Sequence, residues 1–185
     1  MTATGAPDPL IKPPPDPEQF LRPLALMRLE HKRQRQVWDR LEALAEESNT
    51  DQAFNEAAAI LVILTEELPR HAEDEEADLF PLLERRCPAD DNIGDIIAQL
   101  RSEHELDEDL ASFIAADLEV IAKSAKLANP VRLLFNARAF AEAQRRHIGW
   151  ENTVLLPLAR RRLTEADLKE LGRNMAARRG IVYPG

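Results

Sequence analysis

The chain has 185 residues, 44% of them apolar, which is enough for one domain with a substantial core and too much for a chain disordered along its length. Charged residues make up 31%, and no apolar run approaches the roughly eighteen residues that a membrane-spanning helix needs. Thirty-three acids against twenty-four bases leave a net charge of -9, which repels phosphate backbones and argues against nucleic acid as a partner.

The first stretch, 1–17, holds Pro7, Pro9, Pro13, Pro14, Pro15 and Pro17 and reads as a flexible, disordered Pro-rich tail. Its opening residues lack the basic-then-apolar pattern of an export signal. The single cysteine, Cys87, permits neither an internal disulfide nor a thiolate-based metal site. Both features point to the cytoplasm. From residue 18 onward alanine, leucine, glutamate and arginine dominate, and only Gly94, Gly149 and Gly172 interrupt a helical composition before the C-terminus. Breaks at Ser48–Asp51, Cys87–Asp91, Ala128–Pro130 and Leu163–Thr164 offer caps and first-turn prolines. They predict four long helices, at about 18–48, 51–86, 91–126 and 130–162, and a short fifth at about 164–179. Apolar faces such as Leu24, Met27, Trp38 and Leu41, or Leu64, Leu68, Leu79 and Leu82, fit an all-α, up-down-up-down four-helix bundle over 18–162, with a C-terminal helix and tail over 163–185.

Each long helix carries one of the four histidines, His31, His71, His104 and His147, and each lies within its helix's apolar stripe. One such residue alone reads as a core histidine bonded to a carbonyl. Counting from each histidine to the intervening turns returns all four to one level of the bundle, within roughly 3 to 8 Å at about 1.5 Å per residue. His71 and His147 are each followed at i+4 by a glutamate, Glu75 and Glu151, which places imidazole and carboxylate on one face. The sequence beyond stays parallel, with Leu79, Pro81, Leu82, Arg85 and Arg86 matching Leu155, Pro157, Leu158, Arg161 and Arg162. The chain therefore reads as a duplicated helical hairpin. Burying these groups uncompensated would cost several kcal/mol per charge. A nitrogen and oxygen set without thiolate suits two transition-metal ions bridged by the carboxylates, with iron ahead of manganese or zinc.

The run His71-x-x-x-Glu75-Glu76-x-x-Leu79-Phe80-Pro81, the counterpart His147-x-x-Trp150-Glu151-x-x-x-Leu155-Leu156-Pro157 and the two lone histidines together resemble the hemerythrin-like, or HHE cation-binding, domain over about 18–162. The resemblance implies a non-haem, oxo- or hydroxo-bridged di-iron centre. In it His31, His71, His104 and His147 are terminal ligands and Glu75 and Glu151 are bridges. It further implies a small partner ligand, dioxygen, peroxide or nitric oxide, that is bound, reduced or sensed, with catalase- or peroxidase-like turnover as the enzymatic form. A non-enzymatic metal-stabilised bundle for iron storage or partner binding is the alternative. Oxygen-carrying members have a second histidine one turn after the third-helix ligand, whereas Glu108 follows His104 here, and their last motif places an aspartate at five residues where Glu151 stands at four. Simple reversible oxygen carriage is therefore not the expectation. Glu108 becomes a further candidate ligand, with Asp107 competing for that role and exposure of both acids as the plain alternative. Among weaker signals, Trp38 and Trp150 are expected in the core. The acids Glu73, Asp74, Glu76 and Asp78 are expected on a solvated face, and the C-terminal arginines Arg178 and Arg179 beside a helix dipole.

Overall fold

The structure is a computed structural model that describes residues 8–11, 16–123 and 125–185. Among these residues all regular structure is helical and forms a bundle of five helices. Helix α1 spans Pro23–Glu46, α2 runs over 51–86, α3 is Ile93–Ala122, α4 runs over 130–162, and α5 is Glu165–Arg178. Helix α1 packs on α4 and α2, and α3 packs on the same two partners, closing a ring of four. Most of the expected tail at 1–17 falls outside the described residues. Residues 8–11 form a turn whose Leu10 rests on the core.

The expected first helix at 18–48 is divided. Pro17–Leu21 is a separate 3-10 turn capped by the Asp16 carboxylate, which accepts from the Glu18 amide at 3.0 Å. Proline disfavours helical backbone in the residue before it, and Arg22, ahead of Pro23, sits at φ -131° and ψ 64°. The third helix starts later than expected because Asn92 takes a left-handed conformation at φ 50°, which asparagine tolerates better than most residues. Helix α2 widens to π-helix at Ile63–Glu67 and Glu75–Leu79, and α4 does so at Glu151–Leu155. Each widened stretch ends two residues before a proline, immediately ahead of the Leu-Pro or Phe-Pro steps at Pro69, Pro81 and Pro157. A proline has no N–H to donate and its ring collides with the carbonyl four residues back, so an extra residue in that turn lets the helix continue.

Two apolar clusters fill the bundle. One gathers Val37, Trp38, Leu41, Ile60, Ile114, Leu118 and Phe140, with Trp38 edge-on to Phe140 at 4.9 Å. The other gathers Met27, Leu79, Phe80, Leu83, Ile97, Leu155 and Met175. Along every long helix the histidine falls between the residues given to the first cluster and those given to the second. Trp150 is not a core residue as expected, being 49% exposed, because its neighbours Ile148 and Glu151 take the inward positions of that turn. Among the described residues no helix is long and apolar enough to cross a membrane.

Helix α5 lies across one end of this bundle. Thr164 and Asp167 form a reciprocal capping box at its start, and Asp167 also receives Arg86 at 2.8 Å and Arg85 at 3.2 Å from the end of α2. Its middle presses against the 3-10 turn so closely that a Cβ on Gly172 would stand 2.0 Å from the Phe20 carbonyl oxygen. Only glycine permits that approach.

Candidate metal centre

Four helices deliver the six chemistry-bearing side chains to one buried layer. His31 comes from α1, His71 and Glu75 from α2, His104 from α3, and His147 and Glu151 from α4. Both glutamates sit at the first residue of a π-turn, directly after the histidine-bearing α-helical turn. They form two overlapping groups able to hold a metal ion: His31, His71, Glu75 and Glu151, then Glu75, His104, His147 and Glu151. Their candidate ligand atoms lie within 4.8 Å of one another in each group. Each carboxylate reaches both groups. Glu75 Oε1 is 3.6 Å from His71 Nε2 while its Oε2 is 3.4 Å from His104 Nε2; Glu151 Oε2 is 3.3 Å from His31 Nε2 while its Oε1 is 3.1 Å from His147 Nε2.

The outward ring nitrogens decide what the inward ones are. His71 Nδ1 donates to Glu30 at 3.1 Å, His104 Nδ1 to Glu76 at 2.8 Å and His147 Nδ1 to Glu103 at 2.9 Å, while His31 Nδ1 donates to the Asn152 side-chain oxygen at 3.1 Å. Carboxylate and amide oxygens accept, so these bonds place a proton on Nδ1 and turn Nε2 inward, where a neutral ring presents its lone pair. His31 and His71 then face each other Nε2 to Nε2 at 2.9 Å, and His104 and His147 do so at 3.1 Å. All four oxygens of Glu75 and Glu151 are buried without accepting a hydrogen bond. Four converging imidazole nitrogens and unsatisfied buried carboxylates are what a polypeptide avoids unless cations sit among them. This donor set fits a metal pair.

Electrostatics divide the cluster. Burial lowers His31 to a pKa of about 4 even with Glu151 beside it. Burial also opposes charge on His147, but Glu151 and Glu103 outweigh it and raise that group to about 9. His71 is raised because Glu30 and Glu151 overcome its desolvation, whereas burial and the nearby His147 lower His104. Burial and the charge of Glu151 push Glu75 well above its ordinary value. Glu151 is held below the usual carboxylate range because His147 and His31 more than offset its desolvation.

Glu108, the other residue singled out from sequence, is exposed and belongs to neither group. Asp107 is the buried acid of that turn, accepting from Gln144 Nε2 at 2.8 Å. Both line a cavity of about 580 Å³ between α2 and α3 whose walls include Leu64, Leu68 and Ala111 as well as His71, His104, His147 and Glu151. Of the acidic run of α2 expected on a solvated face, Glu73 is exposed and the other three acids are turned to partners. Asp74 and Asp78 are buried against Arg178 of α5, and Glu76 supports His104. Glu30, Glu103 and Asn152 were missed in the sequence, although each stands directly beside a residue of the cluster, at His31, His104 and Glu151.

Residues 22–159, roughly three quarters of the chain, match the family model of the Hemerythrin HHE cation binding domain. No curated protein and no solved structure matches the chain significantly.

Proposed function

The chain belongs to the hemerythrin HHE cation-binding family, and from that premise we propose that it is a di-iron protein that binds or reduces dioxygen, peroxide or nitric oxide. On this reading residues 18–162 form an up-and-down bundle that holds the metal, with 163–185 as an attached helix and tail. His31, His71, His104 and His147 would hold the two iron ions, with Glu75 and Glu151 as the carboxylates that reach both. Two iron ions held in this way supply one- and two-electron chemistry toward a small oxidant. The observation that carries the reading is the pair of carboxylates, each reaching both histidine groups with oxygens that no donor satisfies.

The remaining residues have definable tasks. Glu30, Glu76, Glu103 and Asn152 each hold the Nδ1 proton of one imidazole, keeping its Nε2 lone pair turned inward. Leu64, Leu68 and Ala111 line the route from solvent to the histidines and limit the water beside them. A metal kept only for stability needs no such route, so the cavity favours the ligand-binding reading over a storage or scaffold role. Ala111→Trp fills part of the cavity without touching the six central residues. Anaerobic loading with ferrous iron should give two ions per chain in parent and variant alike. Hydrogen peroxide or nitric oxide should then change the optical spectrum about tenfold more slowly in the variant. Equal rates, or no spectral response in the parent, would overturn the small-ligand reading.

A further inference from the structure

Helix α5 lies beyond the residues matched by the family model, which end at 159. Its last side chains nevertheless reach the interior. Arg179 is 8% exposed and places Nη2 at 3.1 Å from Glu30 Oε1 and 2.7 Å from Asp74 Oδ2. Its Nη1 donates to the Met175 carbonyl at 3.0 Å, and its guanidinium lies over the Phe20 ring at 5.9 Å. The other oxygen of Glu30 receives the His71 Nδ1 proton at 3.1 Å. A continuous line therefore runs from Arg179 through Glu30 to His71. Beside it, Arg178 binds Asp74 Oδ1 at 2.8 Å, three residues from His71.

The duplicated half of the site is built differently. Glu103 precedes His104 as Glu30 precedes His31, and it receives the His147 Nδ1 proton at 2.9 Å as Glu30 receives that of His71. Its second oxygen, however, is held by Gln99 from the same helix at 2.9 Å. One half is thus completed from within the bundle and the other by α5.

From this difference we infer that Arg179 is a positioning residue for the His31–His71 metal position, so that docking of α5 governs occupancy of that position and not of the His104–His147 position. The inference rests on the di-metal reading. Arg179 fixes the Glu30 carboxylate, Glu30 fixes the His71 ring, and loss of such outer support lowers metal affinity by about 10- to 100-fold. Removing the guanidinium also takes one of two arginine partners from the fully buried Asp74, leaving Arg178.

The test is metal titration of the full chain with ferrous iron under argon, read as ions per chain, together with the His71 Nδ1–H proton resonance in the zinc-loaded protein. The parent takes up two ions. Arg179→Met, which keeps the apolar stem, should bind one ion with parental affinity and the second at least tenfold more weakly, and should shift or broaden the His71 resonance while that of His147 stays. Arg179→Lys should recover part of the second affinity. Gly172→Ala perturbs α5 without altering any charge, through the clash with the Phe20 carbonyl, and should reproduce the selective loss. Two ions at parental affinity in Arg179→Met, or loss of both ions together, overturns the inference. A parent that never binds two ions overturns the di-metal reading and the inference with it.

Discussion

Replacing Glu75 by glutamine should move the stability of the metal-free and metal-loaded protein in opposite directions. Without metal, Glu75 is completely buried, neither of its oxygens accepts a hydrogen bond, and it faces the second buried carboxylate, Glu151. An unsatisfied buried acceptor costs about 1–3 kcal/mol, and a hydrogen bond to a charged group contributes about 1.5–3 kcal/mol. The amide of glutamine, equal in size, removes the like charge and donates to Glu151. A net gain of about 2 kcal/mol raises the metal-free Tm by about 4–8 °C for a chain of this length. With metal present the balance reverses. The parent gains about 4 kcal/mol at a metal concentration a thousandfold above Kd, and glutamine forfeits most of that because the lost carboxylate reaches both histidine groups. Differential scanning calorimetry with and without chelator, on parent and variant, reads all four midpoints. The advantage of the variant also carries a pH signature. Because burial and Glu151 raise the Glu75 pKa above its ordinary 4.5, the parent's penalty is absent below about pH 4.5 and grows as pH rises through the folded-state value. A metal-free variant that melts below the parent at pH 7, or one that takes up two ions with parental affinity, would refute the reasoning.

Metal uptake at pH 7 should release at least one proton per chain from His147, whose pKa Glu151 and Glu103 raise to about 9 against its burial. In the metal-free protein that proton stabilises the fold fully below about pH 6.5 and its contribution is lost as pH rises through about 9, so metal affinity should strengthen toward pH 9; release into an indicator dye measures it, and pH-independent affinity contradicts it. Asp167→Ala breaks the capping box of α5 together with its contacts to Arg85 and Arg86, and should cost about 2 kcal/mol, or about 4–8 °C in Tm. Arg86 and the Thr164 cap hold Asp167 below the usual carboxylate range, so its contribution is present above about pH 4 and is lost on acidification below that, which thermal melts across pH 3 to 6 would follow.

The histidine layer was legible because two simple regularities coincided. An i+4 spacing fixes which side chains share a helix face, and residue counts to the turns fix height, so His31, His71, His104 and His147 could be brought to one level before any contact was known. Helix boundaries followed prolines and caps, but the division at Arg22 required weighing Pro23 against a continuous apolar stripe. The π-turns were not read, although each precedes a proline that forces a choice between a kink and a wider turn. Outer partners were harder to find. Glu76 and Asp74 look like any surface acids in a charge run, and only the arrival of α3 and α5 assigns them to His104 and to Arg178 and Arg179. Trp150 failed for the converse reason, because an apolar side chain beside a ligand face can still point outward when its neighbours claim the interior. Contacts made across the chain, from residues 28 and 104 places apart, leave no periodic signature in either segment.

The duplicated halves clarify what the site demands. Around the four imidazoles stand five carboxylates, Glu30, Glu75, Glu76, Glu103 and Glu151, two of which pair with arginine, Glu76 with Arg101 and Glu30 with Arg179. The unsatisfied oxygens of Glu75 and Glu151 within that layer call for cations independently of any family relationship. The halves agree at Glu30 and Glu103 and at Glu75 and Glu151, and part at one place, where Glu76 beside His104 is matched by Asn152 beside His31. A carboxylate accepting from Nδ1 makes the opposite nitrogen a stronger donor than an amide does. On the di-metal reading, the position served by His104 and His147 would therefore favour the more highly charged ion, and the position served by His31 and His71, with an amide on one ring where its counterpart has a carboxylate, the less charged one. On that reading the repeat supplies the two positions, and the change of one acceptor together with the contact from α5 makes them unequal.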